Sequence, residues 1–256
     1  MTSELHEAAA QGFSSAAASY EEGRPTYPPA AVARLERELH LGPGRVVLDL
    51  AAGTGKLTAL LVCTGATVVA IEPVAEMRAV LERALPRVRA LPGTAEAIPL
   101  PRGSVDAVTV AQAFHWFRGE EALADIHRVL RPGGGLGLVW NDRDESVAWV
   151  ARLTEIMEQH RGDVPSYRSV AWQEAFEQTA LFGPLGHAES RHVHRLTPDG
   201  VIARVASVSF VATLPEPERE RVLAEVRGLL ATDPETRGRA DLDFPYRTDV
   251  YWAERA

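Results

Sequence analysis

Apolar positions recur along the chain in two alternating rhythms. Short, almost unbroken apolar runs read as buried strands: Val46–Leu50 (VVLDL), Thr67–Ile71, Val88–Leu91, Val105–Val110 and Leu136–Trp140. Between them, apolar residues fall at three- and four-residue spacing, the period of a helix. Ala30–Leu41 puts Val32, Leu35 and Leu39 on one face, with Glu36, Arg37 and Glu38 largely off it. Gly55–Cys63 reads as a second helix. A third has Pro73 in its first turn and Val74, Met77, Leu81 and Leu85 at core spacing. Glu120–Leu130 is amphipathic, and RPGGG, Arg131–Gly135, stops it. Strands and helices taking turns, with nearly continuous apolar strands, predict an α/β fold whose parallel sheet is covered on both faces.

After Trp140 the rhythm changes. Ser146–His160 reads as a helix, followed by a stretch bearing Tyr167, Trp172, Phe176 and Phe182. His187–Leu196 reads as a strand, Thr197-Pro198-Asp199 opens a helix to about Ser207, and Pro217–Leu230 is another helix. Asp243–Trp252 reads as the last strand. No repeat or long linker divides the chain, so the second half is expected to supply a lid and the closing hairpin of the same sheet.

Composition narrows this picture. A chain of 256 residues with 46% hydrophobic content can bury a full core in one large domain. The formal charge of −8 argues against a nucleic-acid-binding face, which shows as clustered positive charge. Lys56 is the only lysine, a bias that reads as base composition more than function. The single cysteine, Cys63, excludes an internal disulfide, and in its apolar helical stretch it is expected to be buried and inert. The start, MTSELHEAAAQG, lacks a basic patch followed by an apolar block, and Leu57–Ile71 is too short to span a bilayer. A cytoplasmic chain with no membrane partner is expected.

The candidate chemistry sits in VVLDLAAGTGKLTALL, Val46–Leu61. A loop after the first strand, leading straight into a helix, lies at the carboxyl edge where such sheets bind ligands. Gly53 and Gly55 let backbone approach a ligand, and the helix start aims amide donors at it. Asp49 ends the strand, where a carboxylate is costly without a partner. Glu72, 23 residues on at the end of the second strand, suits the two hydroxyls of a ribose. The dinucleotide fingerprint fails here: the run Ala51-Ala52-Gly53-Thr54-Gly55-Lys56-Leu57-Thr58 begins with Ala and lacks the third Gly. There is no P-loop Lys-Ser/Thr pair.

The pattern resembles the class I S-adenosylmethionine-dependent methyltransferases, whose first motif is an acidic residue, a short Gly-x-Gly loop and a helix. The resemblance implies a Rossmann-like, seven-stranded, mostly parallel sheet with helices on both faces and the last strand antiparallel. It also implies one domain: cap helices over 1–42, a cofactor-binding half over 43–141, and a substrate lid with closing strands over 142–256. By resemblance Asp49, Ala51, Gly53 and Gly55 hold the methionine part of the cofactor, Glu72 binds the ribose, and Pro73 and Met77 flank the adenine. GTAEAIP, Gly93–Pro99, corresponds to the loop at the adenine edge. Thr94 stands where Asp is frequent, and Ala95 offers a backbone N–H. VDAVTVAQAFHWF and RVLRPGGGLGLVW correspond to the fourth strand with its loop and the fifth strand with its preceding helix.

FSSAAASYEEGRPTYP, Phe13–Pro28, with AQAFHWF, Ala111–Phe117, resembles the small-molecule branch that includes trans-aconitate 3-methyltransferase and the cantharidin methyltransferases. There an N-terminal segment folds over the cofactor, so Tyr20, Arg24 and Tyr27 would help close the site; anchoring of the chain end is the other reading of the tyrosines. His115 and Trp116 follow the fourth strand at the pocket's mouth. His115 would act as general base or orient an acceptor oxygen, Trp116 would wall off the sulfonium, and Gln112 would bond cofactor or substrate. Phe114 and Phe117 read as core.

Other candidates carry less. His192 and His194 have no Cys or acidic partner at ligand spacing and read as surface residues, so no metal site is expected. Asn141–Glu145 reads as a solvated loop capping the next helix, and Glu218–Arg221 as an exposed helix face. The expected reaction is in-line transfer of a methyl group to a small-molecule oxygen, carboxylate or hydroxyl, by a monomer or homodimer. Nitrogen or carbon acceptors, a nicotinamide-dependent oxidoreductase and a non-catalytic cofactor-binding protein are the competing readings.

Overall fold

The computed structural model describes residues 24–169 and 171–256. Two compact units are present. The sheet unit comprises Thr26–Asn141, Pro165–Ser190 and Thr248–Ala256; the helical unit comprises Asp142–Val164 and Arg191–Arg247, with Arg24 and Pro25.

The elements in chain order are α1 (Pro29–Glu38), β1 (Val46–Leu50), α2 (Lys56–Cys63), β2 (Thr67–Ile71), α3 (Ala75–Ala84), β3 (Arg89–Leu91), β4 (Val105–Ala111), α4 (Gly119–Val129) and β5 (Leu130–Arg143). They continue with α5 (Ala148–Glu158), α6 (Ala171–Glu177), β6 (Gly186–Leu196), α7 (Pro198–Ala206), α8 (Ser209–Ala212), α9 (Glu216–Thr232) and β7 (Leu242–Glu254). The sheet order is β3-β2-β1-β4-β5-β7-β6, parallel from β3 to β5 and antiparallel in its last strands. The sheet predicted from the sequence is therefore the sheet found.

The near-continuous apolar strands follow from burial on both faces. Successive side chains alternate across a strand. Leu48, Leu50, Val108, Val110 and Leu138 pack on one side with Phe114, Leu123, Ile126 and Trp172. Val47, Ala107 and Val139 pack on the other with Leu35 and Leu39, and with Leu57 and Leu61 of α2. All four aromatic residues of the stretch after Val164 join the first of these clusters, Trp172 and Phe182 buried and Tyr167 and Phe176 partly so. The helical unit has its own core, built from Trp149, Leu153 and Met157 of α5, Val201 and Val205 of α7, Val222 and Val226 of α9, and Phe244 and Tyr246. Thr197 caps α7 by accepting from the Gly200 amide at 3.0 Å.

Several local expectations are corrected. β5 begins at Leu130, which already pairs with Val105; the register then shifts so that Gly135 faces Ala107. RPGGG thus ends α4 but lies within the strand as an irregularity, because Pro132 cannot continue a helix and the glycines place no side chains against the neighbours. Asn141–Arg143 extend that strand instead of forming a loop. Asn141 Oδ1 accepts from Thr248 Oγ1 at 2.6 Å, and its Nδ2 donates to the Thr26 carbonyl at 3.2 Å. Arg143 Nε donates to Thr154 Oγ1 at 2.9 Å. Cys63 is exposed, its thiol 3.3 Å from the Ala59 carbonyl, because it falls on the outer side of α2. His192 and His194 share one side of β6, half-buried, and His192 stacks on Tyr246 with centroids 5.5 Å apart. Glu218–Arg221, by contrast, lie on the outer side of α9 as expected, with Arg221 3.9 Å from Glu218. No helix among the described residues is long and apolar enough to cross a membrane.

Candidate active site

The carboxyl ends of β1 and β2 bring together the two acidic residues that the sequence singled out. Asp49 is 1% exposed. Thr58 Oγ1, on α2, donates to its Oδ2 at 2.6 Å, and Thr109 Oγ1, its register partner on β4, donates to Oδ1 at 3.1 Å. Burial pushes the Asp49 carboxyl up to about 6; the two hydroxyls pull against that, and the negative charge of Glu72 adds to the rise. Asp49 is therefore an anchor holding α2 against the sheet, as well as a candidate ligand.

Glu72 follows β2 directly and is 4% exposed. The Gly53 amide donates to its Oε2 at 2.7 Å and the Val74 amide to Oε1 at 2.8 Å. Burial raises this carboxyl above the usual range, opposed by the two amides and by the charge of Arg78. Arg78 Nη1 itself donates to the Glu72 carbonyl at 2.7 Å. A carboxylate offers about four lone-pair sites, so the two bonds leave acceptor capacity at the loop.

The loop between these carboxylates turns through left-handed backbone at Ala51 (φ 56°), Gly53 (φ 58°) and Gly55 (φ 92°). It is pinned by Ala52 N–H to the Ile71 carbonyl and Gly55 N–H to the Ala52 carbonyl, both 3.0 Å. The two glycines serve different ends. A Cβ on Gly55 would stand 2.9 Å from Leu81 Cγ, so this position lets α2 start against α3; a Cβ on Gly53 would meet nothing within 4 Å among the described residues. Gly55→Ala is expected to lower stability by about 3 kcal/mol, from left-handed strain and overpacking. Gly53→Ala is expected to lower it by only about 1 kcal/mol and to act mainly on ligand binding. Urea unfolding of the two variants, side by side, checks the contrast; equal losses would refute it.

At the end of β4, Gln112 also has left-handed backbone (φ 60°). Its amide donates to the Val139 carbonyl at 2.8 Å and its Nε2 to the Asn141 carbonyl at 3.1 Å, tying β4 to β5 beyond the ladder. Phe114–Trp116 then form one 3₁₀ turn. Phe114 is core, at 1% exposure, while His115 and Trp116 are half-buried with ring centroids 5.3 Å apart. Trp140 Nε1, on β5, donates to His115 Nδ1 at 3.3 Å.

Residues 48–138 match the model of a family described as a methyltransferase domain. Over 236 residues, covering 92% of each chain, the protein is 47% identical to an uncharacterized methyltransferase of Mycobacterium tuberculosis. The chain belongs to the methyltransferase family. An uncharacterized methyltransferase-like protein of Schizosaccharomyces pombe is 36% identical over 244 residues, 95% of each chain. Among solved structures, one from Anaeromyxobacter dehalogenans, provisionally described as a type II methyltransferase, superposes with a TM-score of 0.68 at 26% identity. The superposition covers 91% of this chain and 97% of that one.

In this methyltransferase the remaining sequence candidates fall as follows. Met77 is buried on α3 and Pro73 is exposed. Thr94 is exposed, in a small bridge with Ala97, while the Ala95 side chain is in the core, which leaves contact through its backbone. Tyr27 is buried in the cluster of Ala31 and Leu35, the anchoring alternative. Arg24 belongs to the helical unit, where Nη2 donates to the Ser207 carbonyl at 3.1 Å. Tyr20 lies outside the described residues. Sequence reasoning missed Thr58, Thr109, Arg78 and Trp140. Strand register is the only signal for Thr109, which lies 60 residues from Asp49 yet directly across from it.

Proposed function

We propose that this methyltransferase transfers a methyl group from S-adenosylmethionine to an oxygen of a small molecule, in the manner of the branch that includes trans-aconitate 3-methyltransferase. One observation carries the reading: two buried carboxylates, both with raised proton affinity, flank a loop whose Gly53 meets no other described residue on its Cβ side. Desolvated, mutually repelling negative charge is relieved by a cation, and a sulfonium with an α-ammonium group supplies that charge. The donor set therefore fits the cofactor.

When bound, S-adenosylmethionine supplies an electrophilic methyl group for a single displacement. Asp49 and the backbone of Ala51, Gly53 and Gly55 would hold its amino-acid end, with Glu72 accepting from ribose hydroxyls. Pro73, Met77, Thr94 and the Ala95 amide would bound the adenine. Gln112, His115 and Trp116 would orient the acceptor. Catalysis by alignment and exclusion of water needs no covalent enzyme intermediate. We place the protein in the cytoplasm as a monomer or homodimer acting without nucleic acid or membrane.

The test is a metabolite extract incubated with methyl-labelled donor, products read by mass spectrometry, beside calorimetry with the donor alone. Labelled methyl esters or ethers are expected. Donor binding without any labelled product would favour a sensor, and products methylated at nitrogen or carbon would overturn the oxygen assignment.

A further inference from the structure

The geometry points to a base built from His187 and Asp249: the imidazole, aimed by the buried carboxylate, takes the proton of an acceptor hydroxyl as the methyl group arrives. The inference deepens the methyl-transfer reading and rests on it for the reaction, but not for the arrangement of the pair.

Asp249 is 2% exposed, on β7, three places from β1 in the sheet. His187 of β6 sets Nε2 2.7 Å from its Oδ1. The Tyr167 hydroxyl also bonds this carboxylate and lies 3.3 Å from the Tyr251 hydroxyl. Burial first, then the Tyr251 hydroxyl and the negative charge of Asp249, hold the Tyr167 phenol above its ordinary range, so it stays a donor.

A tie between β6 and β7 calls for no charge here. The two strands already pair, and a buried carboxylate is costlier than a neutral side chain in the same place. The carboxylate also dictates the form of the ring. Its oxygens only accept, so Nε2 carries hydrogen and the lone pair of the neutral imidazole sits on Nδ1. Nδ1 makes no hydrogen bond among the described residues, and 44% of the side chain is exposed. The ring stacks on Tyr251 with centroids 4.4 Å apart and planes at 23°. Gly186 presses β6 against Trp252, whose indole a Cβ at that position would strike. A buried Asp that sets a histidine's tautomer also steadies the imidazolium formed when that histidine acts as a base.

The pair stands at the edge where Gln112 would orient the acceptor. Thr248, next to Asp249, donates to Asn141 Oδ1 at 2.6 Å, and the Asn141 carbonyl accepts from Gln112 Nε2 at 3.1 Å. Tyr251 meets Trp140 edge-on at 5.9 Å, and the Trp140 indole reaches His115 at 3.3 Å. One row of rings therefore runs from the turn after β4 to His187.

In the step, the hydroxyl oxygen bonds the methyl carbon as the C–S bond breaks onto sulfur, and the O–H proton passes to Nδ1. The products are an ether, a neutral thioether and an imidazolium that carries the charge the sulfonium lost. The proton then leaves to water from the exposed ring.

The experiment uses the full chain. With ¹⁵N-labelled histidine and no donor, at a pH of about 8 where the ring is neutral, two-bond ¹⁵N–¹H spectra are expected to show His187 as the Nε2–H tautomer. Its peaks are identified by their loss in His187→Gln, and Asp249→Asn is expected to give a mixture of tautomers. In cell extract with methyl-labelled S-adenosylmethionine, labelled ethers are expected, formed about 100-fold more slowly by His187→Gln at unchanged donor affinity. His187→Gly is expected to regain rate when imidazole is added, which a histidine that only ties two strands would not allow. A wild-type Nδ1–H tautomer, ethers formed as fast by a folded His187→Gln, no rescue by imidazole, or esters as sole products would each overturn the role of His187. A wild type that binds no S-adenosylmethionine by calorimetry would overturn the proposed function, and the catalytic step with it, whatever the tautomer.

Discussion

Asp49→Asn is expected to raise the stability of the ligand-free protein at pH 7.5 by about 3 kcal/mol while weakening its affinity for the methyl donor. The native carboxyl titrates at about 6 instead of 3.8 because it is buried, and each pH unit of that difference costs the ionised form about 1.4 kcal/mol. Folding therefore draws most support from this group below pH 3.8, loses it as pH rises through about 6, and carries the full cost above that. Asparagine keeps the shape without the charge: its oxygen accepts from one threonine, and its amide donates to the other hydroxyl after rotation. Urea unfolding at pH 7.5 and again near pH 4 reads the effect, and the gain should vanish at the lower pH. Donor affinity in the wild type should fall as pH drops below about 6 and Asp49 takes its proton, a dependence the variant should lack. A variant no more stable than wild type at pH 7.5 would mean that Asp49 is not held at such cost.

Glu72→Gln carries the second large effect, a loss of donor affinity of roughly 100-fold with a destabilisation of about 1–2 kcal/mol. Both carboxylate oxygens are in use, one on the Gly53 amide and one on the Val74 amide. Glutamine offers a single oxygen, so one amide is left facing an N–H, and the loop loosens where the ligand docks. Its neutral head also removes the charge that ribose hydroxyls would donate to. Calorimetry at neutral pH measures the affinity, and an unchanged dissociation constant in a folded variant would remove Glu72 from the binding site. The opposite stability signs of the two variants separate their roles: Asp49 is a buried charge poorly compensated until ligand arrives, while Glu72 is a bracket for the loop.

Residue spacing was sufficient where burial is two-sided. VVLDL, TVVAI and VDAVTV are apolar at nearly every position because each strand is covered above and below, and no other environment suits such runs. The carboxylates at the two strand tips were legible for the complementary reason: polar groups interrupting such runs need a purpose. Local pattern was silent elsewhere. LTALLVC is apolar all round, so nothing in it says that Val62 and Cys63 face out. The helix Ala171–Glu177 and the turn Ser209–Ala212 are too short to display a period. RPGGG reads as a helix stop, yet its place inside β5 depends on pairing with Val105 and Ala107 of another strand.

By itself, then, the sequence determined a doubly covered parallel sheet and a glycine loop set between two acids. Those depend on composition and period within a few residues. Only the tertiary structure decided what the acids and the histidine are bonded to. The Thr109 hydroxyl under Asp49, the Gly53 amide on Glu72 and the Trp140 indole on His115 come from 60, 19 and 25 residues away. Proton affinity follows from burial and from those partners, and strand register and helix packing, not spacing along the chain, bring them into reach.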